Sequence, residues 1–378
     1  MRVLITGGAG FIGSHLALRL VRDGHTVTVL DTLSPQVHGA EARSTSSLFA
    51  SVRDSVTFVH GSVCDHAMLA QCLKGQDAIA HLAAETGTGQ SMYEIRRYAD
   101  VNVGGTAVLL DLLANHRHQV RRVVVASSRA IYGEGKYRTP DGELVYPDAR
   151  LVKDLQAGRF EPMCERTGQA LCVLPTDETS KIHPSSVYGI TKQNQEQMVM
   201  TVCPSVGISA VALRYQNVYG PGQSLKNPYT GILSIFSTRI LNGNPINIFE
   251  DGRESRDFVF IDDAVEATCR ALFRPEAAGE VFGIGSGVPT DVLTVANTLV
   301  RRYGRDVPVV VSGAFRIGDI RHNFADLTKA RLLLEYEPRV SFEPGIEMFA
   351  RWVEAQEIAE DTYERSIREL EARGLFQQ

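Results

Sequence analysis

Long apolar runs are missing from this chain of 378 residues. No stretch of about 18 apolar residues occurs, so no membrane span is expected. Positive charge is neither abundant nor clustered. The formal net charge is −5 at pH 7, unlike the basic face that binds nucleic acid. Disulfide patterning is absent too: six cysteines lie at scattered positions, which fits reduced thiols in the cytoplasm. Cys164 and Cys172 have no histidines or further cysteines beside them, so free thiols and no metal are expected there. The first residues lack a basic region followed by a long apolar run, so no signal peptide is expected. There is no internal repeat and no low-complexity tract. The 44% of hydrophobic residues suffices for a large core and one or two domains.

Taken in order, strands and helices alternate. Arg2–Thr6 reads as an apolar strand that runs into Gly7-Gly8-Ala9-Gly10-Phe11-Ile12-Gly13 and then a helix over Phe11–Arg22. Glycines at 7, 10 and 13 permit a tight turn and let backbone N–H groups approach a pyrophosphate at a helix N-terminus. Thr26–Leu30 is a second strand, ended by Asp31. That carboxylate lies 18 residues after Gly13 (31 − 13), near the offset at which such a group binds the adenosine ribose. Its charge opposes a 2′-phosphate, so NAD is expected over NADP. Val56–Val59, Asp77–Leu82 and Arg122–Ser127 supply three more strands and Val101–Ala114 a helix. Ala83 and Ala84, after the fourth strand, are small enough for a cofactor to pass. The pattern predicts an α/β fold, a doubly wound parallel sheet with its site at the strands' C-terminal ends. It lapses from Gly133 to Pro184, read as a partly ordered insertion near the site mouth. Beyond it come a strand at Ser209–Arg214, a helix at Ile232–Leu241, arginines 253 and 256 beside a strand, and a charged C-terminal helix over 343–376.

Ser185-Ser186-Val187-Tyr188-Gly189-Ile190-Thr191-Lys192 carries the chemistry. On a helix, residues four apart share a face. An ammonium close to a phenol favours the phenolate, so Tyr188 is a candidate base for a substrate hydroxyl, with Lys192 as its tuner. Tyr132 and Lys136 have the same spacing, but Gly133 and Gly135 each make a helix costlier there by roughly 1 kcal/mol. Tyr188 is therefore preferred. Ser128, at the end of the fifth strand, can point its hydroxyl into the same crevice.

These motifs, together with Arg214-Tyr215-Gln216-Asn217-Val218-Tyr219-Gly220 and Arg256-Asp257-Phe258, resemble the extended short-chain dehydrogenase/reductase family. More narrowly the chain is similar to its nucleotide-sugar epimerases and dehydratases. Asp31–Gly39, the insertion and Asn227-Pro228-Tyr229-Thr230-Gly231 are most like a bacterial subgroup of dTDP-L-rhamnose and UDP-glucose 4-epimerases. The resemblance implies a Rossmann-type half over 1–215, to which later segments return, and a smaller C-terminal α/β substrate-binding half over 216–378. It implies NAD held by Gly7, Gly10, Phe11, Ile12, Gly13, Asp31, Ala83 and Lys192. Catalysis would fall to Ser128, Tyr188 and Lys192. A dTDP- or UDP-linked sugar would be held by Glu85, Ser128, Arg129, Asn217, Asn227, Arg256 and Arg321. Asn102 matches a helix asparagine that supports the site backbone, and residues 98–115 and 187–203 match the helices of a homodimer's four-helix bundle. Two departures stand out. Gly61-Ser62-Val63 replaces the family's Gly-Asp-Ile, and 60 residues (188 − 128) separate serine and tyrosine, about twice the usual spacing.

Within the family, 4,6-dehydratases place Asp-Glu directly after the Ser or Thr. Here Arg129 and Ala130 stand there; alanine cannot act as a base, and arginine stays protonated. A 4-ketoreductase would consume reduced cofactor. A 4-epimerase needs only tightly held NAD, a base and a hydroxyl partner, so C4 epimerisation is the expected reaction. A catalytically idle nucleotide or redox sensor would have no need of Ser128, Tyr188 and Lys192 together.

Overall fold

Apolar, β-branched runs build the central sheet. The computed structural model describes residues 1–225, 227, 231–358, 360–361 and 363–377. Its strands are β1 (Arg2–Thr6), β2 (Thr26–Asp31), β3 (Thr57–His60), β4 (Ala78–His81), β5 (Arg122–Ser128), β6 (Ser209–Tyr215) and β7 (Val281–Ile284). They lie in the order β3-β2-β1-β4-β5-β6-β7, every neighbouring pair parallel. The chain reverses direction across the sheet between β1 and β4, and the strands' C-terminal ends there open a crevice.

Alternation along each strand feeds two cores. Val3 and Ile5 join Leu16, Leu20, Ala264 and Ala267 on one face, under α1 (Phe11–Arg22) and α4 (Ile261–Phe273). Leu4, Ile79, Val123 and Val125 join Leu109, Leu113, Val199 and Cys203 on the other. That face lies under α2 (Gly105–Asn115) and α3 (Val187–Ser205). Helical winding begins well before α2, at Ile95, and passes through a π-helical turn at Ala99–Gly104. Such turns cluster at functional sites.

After β6 the chain leaves the large sheet. Asn217–Tyr219 pairs in parallel with Ser255–Phe260, which also pairs with Pro289–Asp291 and His322–Asn323. Residues 281–284 then return to the large sheet as β7 beside β6. The C-terminal end is not one charged helix. It forms helices Phe342–Glu354 and Tyr363–Glu371 and a strand, Phe376–Gln377, paired with Phe315–Arg316. Among the described residues no helix is long and apolar enough to cross a membrane.

The segment from Gly133 to Pro184 is well formed. Tyr137–Arg138 sits between Leu144–Val145 and Cys172–Val173 in a small antiparallel sheet, with a helix at Val152–Gln156. Tyr137, Cys164 and Leu171 make its own apolar cluster. All six cysteines are free thiols.

Candidate functional site

The cleft at the sheet's switch point has a volume of about 520 Å³. Gly7, Gly10, Phe11, Ile12, Gly13, Asp31, Glu85, Ser128, Arg129, Tyr188, Lys192, Asn217 and Asn227 all line it, as do Ala83 and Ala84. Pro228, Tyr229 and Thr230, part of the subgroup motif, lie outside the described residues.

At one end the glycine turn presses on β4's exit. Gly7 has φ +71, and a Cβ on it would meet the Ala83 nitrogen at 2.8 Å. Gly10 caps α1 without a side-chain bond, so the first N–H groups of the helix face the cleft free of any side-chain cap. Asp31 at the end of β2 accepts from Ala9 N (3.0 Å) and Leu33 N (2.8 Å). The latter bond holds Leu33 in a left-handed conformation, φ 51, that a branched side chain seldom adopts. Sequence reasoning missed His38, which completes this end. Its Nδ1 lies 2.7 Å from the Ser46 Oγ, and burial keeps its pKa down against the opposing pull of Asp31.

At the other end Ser128 and Tyr188 come together. Ser186 caps α3 by accepting from Gly189 N (3.1 Å). Gly189 is needed for approach: a Cβ there would sit 2.5 Å from the Ala130 carbonyl oxygen and 2.8 Å from Pro184 Cβ. The helix therefore starts against the turn that follows Ser128. Tyr98 stands edge-on to the Tyr188 ring at 6.5 Å between centroids. Burial raises the Tyr188 pKa, while a hydrogen bond with Ser128 and the charge of Arg129 pull it down. Arg129 is itself pushed down to about 9, by burial first and by neighbouring Arg256 second. Its Nε donates to the Asn217 side-chain oxygen (3.1 Å).

Lys192 lines the cleft but is not paired with Tyr188. Its ammonium donates to Gln195 Oε1 (2.8 Å), and the groups acting on the phenol are Ser128 and Arg129. Asn102, fully buried in the π-helical turn, ties two walls together. It bonds the Glu85 backbone at both N–H (2.7 Å) and carbonyl (3.1 Å), and it donates to Thr191 Oγ1 (2.9 Å). The Glu85 carboxylate is held by Arg97 (2.7 Å).

Arg256 and Arg321 correct the expectation: neither lines the cleft. Arg256 spends its guanidinium on backbone carbonyls of Ser255, Ile320 and Arg321 at 2.8–2.9 Å. Arg321 is fully buried and ion-paired to Glu161 (2.6 Å), Asp251 (2.7 Å) and Glu250 (3.0 Å). Glu161 belongs to the insertion, which also sends Arg150 to Glu250 by two bonds of 2.7 and 2.8 Å. Tyr132 and Lys136 stay apart. Tyr132 bonds Arg214 (2.6 Å), and Lys136 pairs with Asp177.

Fold and site together define a dinucleotide-binding α/β protein of Rossmann type with a Ser and Tyr pair in its cleft. The chain belongs to the NAD dependent epimerase/dehydratase family, whose model matches residues 3–150 and 167–285. It is 39% identical over 359 residues to a dTDP-L-rhamnose 4-epimerase of Burkholderia thailandensis, covering 94% of this chain and 96% of that one. The crystal structure of Thermotoga maritima UDP-glucose 4-epimerase with UDP-glucose superposes with a TM-score of 0.76 at 32% identity. It covers 94% of this chain and 99% of that one. The UDP-glucuronic acid 4-epimerase of Bacillus cereus, with UDP-glucuronic acid and NAD, gives 0.76 at 25% identity with the same coverages.

Proposed function

We propose that the protein epimerises a nucleotide-diphosphate sugar, dTDP- or UDP-linked, at C4 through a 4-keto sugar, with NAD as its tightly held cofactor. The meeting of Ser128 and Tyr188 in the cleft that Gly7 and Asp31 also line carries this reading. The residues fit NAD. A side chain at Gly7 would strike the Ala83 backbone and push the turn off β4's exit, and the uncapped start of α1 suits a pyrophosphate. Asp31 suits the adenosine ribose, Ala83 leaves room beside the turn, and Lys192 suits the nicotinamide ribose. Bound there, NAD supplies a reversible hydride acceptor. Tyr188 takes the proton from O4 and later returns it, while Ser128 hydrogen-bonds O4. Arg129 and Asn217 hold the diphosphate, to which a guanidinium can bond twice. Asn227 and Glu85 border the nucleotide sugar.

In this reading residues 1–215 with returning β7 form the cofactor half, and the rest of 216–378 the sugar half. The partly buried Val108, Met198 and Val202 of α2 and α3 favour a homodimer built on those helices. Six free thiols favour a cytoplasmic location. The test is incubation with dTDP- and UDP-hexoses and 6-deoxyhexoses without added cofactor, followed by proton NMR. A mixture of C4 epimers is expected. Reduction of an added 4-keto nucleotide sugar by stoichiometric NADH or NADPH, with no interconversion of C4 epimers, would replace the epimerase by a ketoreductase, and no turnover of any sugar would overturn both.

A further inference from the structure

Lys192 ends in a socket that holds no free counter-charge. Its residue is 3% exposed, and its ammonium donates to Oε1 of fully buried Gln195, one turn along α3 (2.8 Å). An amide can present either end, and the neighbours decide which. The Thr106 hydroxyl donates to the Asn102 carbonyl (2.6 Å), so its oxygen is left to accept from Gln195 Nε2 (2.9 Å). The same nitrogen faces the Ala83 carbonyl at 3.4 Å. Two acceptors on one side fix the nitrogen there and turn the oxygen to Lys192.

His81 supports this arrangement from β4. Its Nε2 lies 2.9 Å from Thr106 Oγ1 and its Nδ1 2.8 Å from Thr6 Oγ1. Burial first, and Lys192 second, push its pKa down to about 3, so the ring is neutral. Nε2–H donates to Thr106 and Thr6 donates to Nδ1, which leaves every member of the chain satisfied. Other charges near Lys192 are engaged elsewhere. Glu196 is gripped by Arg214 (3.0 and 3.2 Å through Nε) and by Ser127 (2.5 Å). Thr106 of α2 and Asn102 of the π-helical turn present only uncharged groups. The Tyr188 phenol is one turn back on the same helix.

We propose that Gln195 is a positioning residue whose fixed amide oxygen holds the Lys192 ammonium at the cleft wall without supplying a counter-charge that would tie it down. The balance is delicate. Burial draws the Lys192 pKa down to about 7, with Glu196 opposing, so at neutral pH the ammonium stands near the point of losing its proton. A carboxylate at 195 would hold that proton, and an apolar group would release it.

The inference rests on the reading of Lys192 as a ligand of NAD, and the experiment separates the two. The affinity of cofactor-stripped protein for NAD is measured by calorimetry from pH 6 to 10, with thermal melting as a check of folding. Native protein should lose affinity along an alkaline limb. Gln195→Glu should move that limb up by about one pH unit or more, as an adjacent opposite charge does. Gln195→Met should move it down. A role confined to packing would lower melting temperature in both variants and leave the limb in place, so unshifted limbs, or shifts of the same sign, overturn the inference. If Lys192→Met keeps native affinity and the native limb, the reading of Lys192 itself falls.

Discussion

The Tyr132 phenol accepts a 2.6 Å hydrogen bond from Arg214, whose guanidinium also lies over the tyrosine ring at 5.0 Å. Arg214 in turn grips Glu196, so Tyr132 belongs to a buried brace beneath Ser127. Tyr132→Phe should therefore cost about 1–3 kcal/mol of stability by stranding a buried donor. Its turnover should stay within a few fold of native. Tyr188→Phe should do the reverse, with near-native melting and turnover reduced by roughly 10²–10⁴-fold, the usual worth of general acid–base catalysis. Melting curves and initial rates on the sugar that native protein turns over distinguish the two. A dead Tyr132→Phe beside an active Tyr188→Phe would put the chemistry elsewhere.

Arg150 anchors the insertion to Glu250 in the other half of the chain, both side chains about 5% exposed. Arg150→Met should lower the unfolding free energy by about 3–5 kcal/mol, because it takes the paired guanidinium from buried Glu134 and Glu250 and leaves Glu250 to Arg321, which also serves Glu161 and Asp251. Urea unfolding reads the loss. Limited proteolysis should cut first between residues 133 and 184. A variant as stable as native would mean that the insertion is held by something else.

Asp31→Asn keeps an acceptor for the Leu33 N–H but removes the charge. Affinity for NAD should drop, and the gap between NAD and NADP should narrow by about fivefold or more, since one close like-charge contact is worth on the order of 1 kcal/mol or more. Calorimetry with both dinucleotides checks this. An unchanged ratio would remove Asp31 from cofactor selection.

Lys192 has a folded pKa of about 7, well below its ordinary value near 10.5. The unfolded chain thus binds the extra proton between those values. Below about pH 7 both states are protonated and folding bears the full cost of burying the charge; as pH rises toward 10.5 that cost is relieved. Lys192→Met should therefore raise the melting temperature of cofactor-stripped protein at pH 6–7, with a gain that shrinks by pH 10. A gain that is flat or grows with pH contradicts this.

The sheet and the glycine turn at one end of the cleft were legible because their signals are local. A strand, three glycines, a helix and an aspartate at a fixed offset each act through neighbours in sequence. Tyr188 was legible for the same reason, since Ser186 and Gly189 start its helix on the spot. Arg321 was misread because its fate depends on carboxylates at 161, 250 and 251, which only the tertiary fold assembles. Helical spacing put Lys192 within reach of Tyr188, yet the same periodicity offers Gln195 three residues on. Burial decided between them, by giving the ammonium a polar partner inside the protein. The insertion's strands are two residues each, too short to show any period.

Strand β7 completes the sheet only after the chain has left it at Tyr215 and made residues 216–280. During synthesis, at ~5–20 residues per second, that interval lasts roughly 3–13 s. Throughout it β6, Ser-Ala-Val-Ala-Leu-Arg-Tyr, presents an open apolar edge of unpaired N–H and C=O groups, the kind of edge that recruits foreign strands. The nascent N-terminal half, still tethered to the ribosome, is thus sticky along one side until Val281 emerges. A fragment ending near residue 216 would keep that side open for good.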